Sequence, residues 1–167
     1  MNNHTIYPLK QVLEIKQRRV EEAEKVVKEK QKALEVEQKK LEAAEAERDK
    51  VKTHKVEKLK QLRDTLDSVS TSPKIQQMKQ YLKIVDEKLV VEEEKVKKQK
   101  DQVEIAEKNL EQARKELQIK RQEVDKLMNH KKDWEKEMRK ALEIIENREQ
   151  DELGSVIHTT NQRKKMG

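Results

Sequence analysis

Residues 68–74, with the sequence SVSTSPK, are the only point in the middle of the chain where Ser, Thr and Pro cluster. The flanking sequence is rich in Lys, Glu, Gln and Leu, and no Gly or Pro interrupts it between Pro8 and Gly154 apart from Pro73. Ser72 can cap a helix, and Pro73 suits the first helical position, where no N–H needs a partner. The stretch therefore predicts a turn between two long helices.

The composition argues against a thick globular core. The chain has 167 residues, of which 44% are charged, 32% hydrophobic and 2% aromatic, with no Phe. A compact domain of this length is normally about half apolar. High charge with few apolar residues fits either disorder or long helices, and the periodicity of the apolar residues distinguishes the two.

A heptad repeat runs through both halves of the chain. From Ile75 to Ile145, every seventh residue is apolar except Lys131, and a mixed companion row lies three residues further on. So long a repeat predicts a coiled coil rather than disorder. In the first half, the matching residues are Leu13, Val20, Ala23, Val27, Leu34, Leu41, Ala44 and Val51. Beyond Val51 the apolar row shifts to Leu59, Leu62, Leu66 and Val69, which predicts a four-residue stutter.

These patterns predict an all-α fold, in which two long helices form an antiparallel coiled-coil hairpin. The two apolar rows fit a register in which the numbers of paired residues sum to about 140, so that Leu34 meets Ala106 and Val27 meets Ala113. The predicted segments are an N-terminal lead-in at 1–7, helix one at 8–70, a turn at 70–73, helix two at 74–153, and a mobile basic tail at 154–167.

Because helix two is the longer, it is predicted to overhang helix one at the open end of the hairpin. Past Trp134 only residues 1–6 remain to cover it, and Trp134 either packs on Ile6 or Tyr7 or anchors a partner. Tyr81, near the turn, is expected to pack against the hairpin. The predicted unpartnered stripe on the overhang consists of Met138, Ala141, Leu142, Ile144 and Ile145.

No motif for catalysis or metal binding is present in the sequence. The four histidines are scattered, and none has a second His or a carboxylate at a usual ligand spacing. Two glycines cannot form a phosphate-binding loop, and a two-helix hairpin has no cleft that could tune a carboxylate for acid–base work. We therefore expect a protein that is not an enzyme and that uses no cofactor or metal.

The charge pattern favours protein partners over nucleic acid. The net charge is +6, from 40 basic and 34 acidic residues, and many opposite charges lie four residues apart on one helix face. Basic clusters occur at 52–63, 95–100 and 163–165, but the first two are flanked by acids and no aromatic residues are interleaved for base stacking. With no cysteine, no apolar run long enough to span a bilayer and no signal peptide, a cytoplasmic protein is expected.

The stretch at residues 7–27, YPLKQVLEIKQRRVEEAEKVV, resembles the start of the FliJ/YscO family of type III secretion and flagellar export proteins, and the YscO branch of injectisomes is the closer one. Members of this family are small, basic, cysteine-poor helical hairpins, which agrees with the rest of the chain. The matching positions are Pro8, Leu9, Leu13, Ile15, Lys16, Arg18, Arg19 and Ala23.

The resemblance implies a function. Family members resemble the two-helix stalk of rotary ATPases, contact the hexameric secretion ATPase and the export gate, and escort secretion chaperones at the cytoplasmic side of the inner-membrane apparatus. Arg18, Arg19 and Arg148 would then meet acidic ring loops, while Trp134, Met138, Leu142 and Ile145 would meet apolar ones. The turn region around Tyr81 would offer a second surface to a chaperone or the export gate.

Two other interpretations remain open at this stage. The chain could be a coiled-coil scaffold or adaptor that dimerises through the unpartnered stripe, whereas a stalk should be monomeric in isolation. It could also lie on a membrane surface, although its mixture of Lys and Glu lacks the uniformly basic face that such helices show.

Overall fold

The computed structural model of the protein describes residues 6–68 and 71–167, and these residues form two long helices. Helix α1 spans Lys10–Asp67 and helix α2 spans Ser72–Met166. The two helices pack against each other in opposite directions, so the predicted antiparallel hairpin is confirmed. No strand occurs in the ranges that the structure describes.

The chain divides into two compact units, and both helices contribute to each of them. The open-end unit combines Met1–Glu22 with Leu117–Gly167, and the turn unit is Ala23–Glu116. In the open-end unit, Lys16 forms an ion pair with Glu123 at 2.9 Å. In the turn unit, Lys55 pairs with Asp86 at 2.6 Å. In both pairs the residue numbers sum to about 140, which confirms the predicted register.

Burial follows the predicted heptad positions. Between Ile75 and Met138, every residue of the first α2 row is buried or half-buried, and so is every residue of its companion row from Met78 to Trp134. Since only one face of each helix is covered, the core is a single layer of side chains. Its buried apolar members on the coiled-coil positions are Leu13, Ala23, Leu34, Val51, Leu82, Val85, Leu89, Val96, Leu110, Ala113 and Leu117.

The stutter expected beyond Val51 is wrong. The inward-facing positions continue in alternating steps of four and three, whereas Leu66 is 52% exposed. The heptad therefore continues, but long polar side chains fill some of its positions with their aliphatic stems, so an apolar count alone loses the register. Val69 lies outside the described residues. The half-buried residues that continue the repeat are Lys55, Lys58, Leu62 and Thr65.

Helix α1 begins two residues later than expected, because Pro8 belongs to a turn that precedes the helix. The N–H of Lys10 donates to the carbonyl of Tyr7 at 3.1 Å, so residues 7–10 form a β-turn with Pro8 at its second position, a favoured place for proline. The N–H of Leu13 donates to the carbonyl of Leu9 at 2.9 Å, which is the first bond of the helix.

Helix α2 begins earlier than expected. The N–H of Ile75 donates to the carbonyl of Thr71 at 3.3 Å, so Thr71 occupies the N-cap position, with Ser72 and Pro73 as the first two helical residues. Proline is tolerated throughout the first helical turn, where no N–H has an intrahelical partner, so the shift carries little cost. Ser70 lies outside the described residues.

Helix α2 also continues past Gly154, where the sequence analysis ends it, and reaches Met166. Gly154 has no positive φ, and a Cβ added there would meet no atom within 4 Å. A single glycine costs a helix only about 1 kcal/mol relative to alanine. The last turn carries Arg163, Lys164 and Lys165, whose charges favour the negative end of the helix dipole. The mobility of segment 154–167 stays a prediction.

The single-layer core predicts a sharp difference between two valines of α2. Val85 is 4% exposed and Val90 is 56% exposed. Val85→Ala should lower the free energy of unfolding by about 1.5–2.5 kcal/mol more than Val90→Ala does, because it removes two buried methyl groups. Both substitutions change the helix propensity equally, so the difference isolates burial. Urea unfolding followed by circular dichroism measures it, and equal effects would contradict the assigned register.

The continuous C-terminal helix predicts that Gly154 is a local weak point rather than a stop. Gly154→Ala should stabilise the surrounding turns by about 1 kcal/mol and slow amide hydrogen exchange across residues 150–158. Gly154→Pro, as the opposite control, should speed exchange in the same turns because proline disrupts a helix interior. If neither variant changes exchange there, the helix does not persist through this segment in solution.

Candidate functional site

The open end of the hairpin is closed by a small aromatic cluster. Tyr7 is 4% exposed, and its ring meets the ring of Trp134 edge-on at 5.6 Å between centroids. The hydroxyl of Tyr7 shares a hydrogen bond with Nδ1 of His130. Of the two neighbours expected for Trp134, the one in ring contact is therefore Tyr7, and Ile6 is exposed. The β-turn at Pro8 directs Tyr7 back onto α2.

His130 is a member of this cluster that the sequence analysis missed. It was grouped with the scattered histidines because no metal-ligand spacing surrounds it. The usable signal was its position four residues before Trp134, which places both rings on the same helix face. Tyr7 thus contacts two consecutive turns of α2. Among the described residues, these are the ring contacts between the N-terminal segment and α2.

Next to this cluster, the pKa of the Glu123 carboxyl is lowered below its ordinary value of 4.5. The main cause is the hydrogen bond from Nζ of Lys16, at 2.9 Å, followed by the positive charge of the same lysine. Partial burial acts in the opposite direction, and the charges of Arg19 and Lys120 add smaller contributions in the same direction as Lys16. Arg19 therefore already acts on a carboxylate of its own chain.

Beyond the aromatic cluster, α2 presents a stripe of exposed apolar side chains. Met138 is half-buried, so the fully exposed part begins at Ala141 rather than at Met138. Leu142 is 44% exposed and Ile145 is 51% exposed. Ile145 follows Met138 in the row of every seventh residue, and Leu142 lies four residues after Met138. Both residues are therefore on or beside the face that the heptad positions occupy nearer the turn.

The stripe is longer than the sequence analysis allowed. Leu153 and Val156 lie eleven residues after Leu142 and Ile145, and eleven residues are close to three full helical turns. These residues therefore extend the same face and are exposed. They were overlooked because the helix was expected to end at Gly154. We define the overhang stripe as Ala141, Leu142, Ile145, Leu153 and Val156.

The residues proposed for partner contact fall into two groups. Trp134, Met138, Leu142, Ile145 and Arg148 follow one another along α2, and Arg148 is exposed. Arg18 and Arg19 are also exposed but lie on α1, level with residues near 121 of α2 in the observed register. At 1.5 Å per residue they are about 30 Å along the helix from Leu142, so one small site cannot include both groups.

The described residues 6–68 and 71–167 contain no candidate for a metal site or for a membrane-spanning segment. No group of three or more His, Cys, Asp or Glu side chains in these ranges could hold a metal ion. Within the same ranges, neither helix contains a stretch long and apolar enough to cross a membrane.

Comparisons with known proteins give a consistent result. A family model of YscO-like proteins matches residues 4–164. A solved structure of a YscO homologue from Chlamydia trachomatis, CT670, is similar with a TM-score of 0.89 and 50% sequence identity. The match covers 95% of this chain and 98% of that one. Among curated proteins, none matches this sequence.

The Lys16–Glu123 contact predicts a pH-dependent contribution to stability. Lys16→Met keeps the packing of the stem but removes the charge, so the pKa of Glu123 should rise toward 4.5, as read from a carboxyl NMR titration. Because the folded-state pKa is the lower one, the contact stabilises the fold above about pH 4.5. This stabilisation is lost as the pH falls through the folded-state pKa.

The difference in unfolding free energy between the wild type and Lys16→Met should therefore narrow on acidification. Lys50→Met is the control, because Lys50 forms an ion pair with Glu47 of the same helix and the substitution should leave the pKa of Glu123 unchanged. A Glu123 pKa that does not move in Lys16→Met would show that the contact is not formed in solution.

Proposed function

Because the chain belongs to the YscO-like family of type III secretion proteins, we propose that it is the central stalk of the hexameric secretion ATPase and an escort for secretion chaperones. In this role it has no active site of its own. It works in the cytoplasm, next to the inner-membrane apparatus, and its open end enters the ATPase ring. The export gate is a further partner that the family resemblance implies.

The observation that supports the stalk is the overhang stripe. Ala141 and Ile145 continue the two coiled-coil rows of α2, and Leu142, Leu153 and Val156 lie beside them. The side chains of Leu142, Ile145, Leu153 and Val156 are exposed, so a partner that covers this face would bury apolar surface. Burying a side chain of this size contributes about 1.5–3 kcal/mol. A ring that covers two of them would gain about 3–6 kcal/mol from these contacts, which offsets part of the cost of association.

The charges around the overhang stripe specify the partner loops further. Glu146 and Glu149 lie four residues after Leu142 and Ile145, so both carboxylates are on the face of the stripe. Loops that cover this part should carry apolar residues together with a basic or amide group. Arg148 lies three residues after Ile145 and seven after Ala141, at the opposite edge of the same face from Glu146, and can meet an acidic loop of a neighbouring subunit.

The proposed mechanism is mechanical. A two-helix stalk has no six-fold symmetry, so the six subunits around it contact different surfaces of it. Differential contact is what shifts an equilibrium between conformational states. The stalk would thereby favour different nucleotide states in different subunits, and its movement or exchange would redistribute them.

The alternative function is a scaffold that dimerises through the same overhang stripe. A parallel pairing of the stripe with a second copy of itself would bring Glu146 and Glu149 close to their own counterparts, and the like charges oppose that arrangement. Analytical ultracentrifugation of the full chain separates the two functions. A monomer at micromolar concentration agrees with the stalk, whereas a tight dimer that Leu142→Asp abolishes would establish the scaffold.

The stalk predicts loss of ATPase binding when the overhang stripe is made polar. The variant with Leu142→Asp and Ile145→Asp should bind the isolated secretion ATPase at least tenfold more weakly than the wild type, because two apolar contacts are lost. Adding Met138→Asp should weaken binding further. Biolayer interferometry measures the affinity, and the emission of Trp134, the only tryptophan, reports whether the partner reaches the open end.

A charge-matched control uses exposed aliphatic residues elsewhere. Val36→Asp together with Ile119→Asp adds the same charge at residues that are 50% and 55% exposed, and it should leave ATPase binding unchanged. Helical content should be equal in both double variants. Binding that survives in the Leu142→Asp and Ile145→Asp variant would exclude the overhang stripe as the contact.

A further inference from the structure

A second candidate surface lies in the turn unit, around Tyr81. Tyr81 is expected from the sequence to pack against the hairpin, but its side chain is 43% exposed. Its hydroxyl shares a hydrogen bond of 2.7 Å with Nε2 of His54, and the two rings meet edge-on at 5.8 Å. Nζ of Lys58 lies 5.5 Å from the ring centroid. These contacts hold the ring across the groove between α1 and α2.

A hollow lies on each side of the Tyr81 ring. On the side of the turn, a hollow of about 270 Å³ is lined by Lys58, Gln61, Gln77, Met78 and Tyr81. On the other side, a hollow of about 410 Å³ has Val51, His54, Ile84, Val85 and Lys88 among its lining residues. Each hollow is large enough for an aliphatic or aromatic side chain.

The spacing of the two hollows matches a helix. Met78 lines the first hollow and Val85 lines the second, and these residues are seven positions apart, or about 10.5 Å along α2. Residues i and i+7 of a third helix laid along the groove are the same distance apart. Such a helix could place one side chain in each hollow, with the Tyr81 ring between them, as in coiled-coil packing.

Basic groups border this groove. Continuing along α2 from Ile84 in steps of four and three gives Lys88, Val91, Lys95 and Lys98, so apolar and lysine residues share one face and no carboxylate occurs among them. Ile84 is 60% exposed and Val91 is 50% exposed. Carboxylates do occur nearby. Glu47 pairs with Lys50 at 3.0 Å and Glu92 pairs with Lys95 at 3.3 Å, whereas Glu87, three residues after Ile84, lies at the outer edge of this face.

We propose that the Tyr81 groove, formed by His54, Lys58, Tyr81, Ile84, Lys88 and Val91, binds an amphipathic helix of another protein. Two apolar side chains of that helix, seven residues apart, enter the two hollows, and Asp or Glu residues on its flanks pair with the bordering lysines. The site is separate from the overhang stripe and does not depend on the stalk proposal.

Nucleic acid is a poorer match for the same basic groups. Nζ of Lys58 lies over the Tyr81 ring and the His54 ring meets it at 5.8 Å, so part of the aromatic surface is covered by the chain's own side chains and less of it is left for base stacking. The exposed Ile84 and Val91 would gain nothing from a phosphate backbone, whereas an amphipathic helix buries them.

The test uses the full chain and two labelled 21-residue helical peptides. Both carry Leu at coiled-coil spacing, and the flanking positions are Glu in the first peptide and Lys in the second. Fluorescence anisotropy at low salt should show that the Glu peptide binds at least tenfold more tightly, and added salt should weaken it. Ile84→Asp and Tyr81→Ala should each weaken binding at least fivefold, and Lys88→Glu should reduce the preference for the Glu peptide.

Val90→Asp is the matched control, because Val90 is 56% exposed on another face of α2 and should not affect binding. The variant with Leu142→Asp and Ile145→Asp should bind the Glu peptide like the wild type, which keeps this test apart from that of the stalk. Equal binding of the two peptides would overturn the proposal. So would binding that Ile84→Asp does not weaken, or tighter binding of a single-stranded oligonucleotide than of the Glu peptide.

Discussion

The antiparallel register between the two helices is the constraint on which the other features depend. Two helices share only one face each, so a core residue has few neighbours and the inward-facing rows must align over their full length. Polar contacts fix that alignment where apolar ones are sparse. In the turn unit, the side-chain amide of Gln99 donates both to the carbonyl of Glu37, at 3.0 Å, and to its carboxylate, at 2.6 Å. A shift of one heptad would leave these half-buried polar groups without hydrogen-bond partners. They therefore favour a single register, although a polar residue at a core position lowers the stability of the coiled coil.

The fold could be predicted from the sequence because a heptad repeat is a long-range signal. Its period survives substitutions at single positions, so the identity of the inward-facing residues from Ile75 to Met138 was readable even through Lys131. The errors arose where one residue type was given too much weight. Gly154 was taken as a helix end, although a glycine costs a long helix little. Beyond Val51, aliphatic residues alone were counted, so Lys55 and Lys58 were not recognised as inward-facing.

The candidate sites were predictable to different extents. The overhang follows from register and helix length, both of which are in the sequence, so Leu142 and Ile145 are predictable from it. The turn region around Tyr81 is also predicted as a second surface, but its groove and hollows depend on three-dimensional relations between α1 and α2 that no pattern along one helix contains. The hydrogen bond to His54 and the position of Lys58 over the ring hold this side chain half out of the groove. A lone tyrosine near a turn is more often packed, and only the geometry separates these outcomes.

The two exposed surfaces also differ in chemistry, and this difference has a functional consequence. The overhang stripe combines aliphatic residues with Glu146 and Glu149, whereas the Tyr81 groove combines aliphatic residues with Lys88 and neighbouring basic groups. A partner whose charges suit one surface meets like charges at the other, which is how specificity is obtained at low cost in affinity. A two-helix hairpin can therefore still distinguish two partners, provided that the two surfaces lie on different units and are framed by charges of opposite sign. Because the core is a single layer, most other side chains are exposed to solvent. The charged residues beside each apolar surface are therefore the main feature by which this fold can select one partner over another.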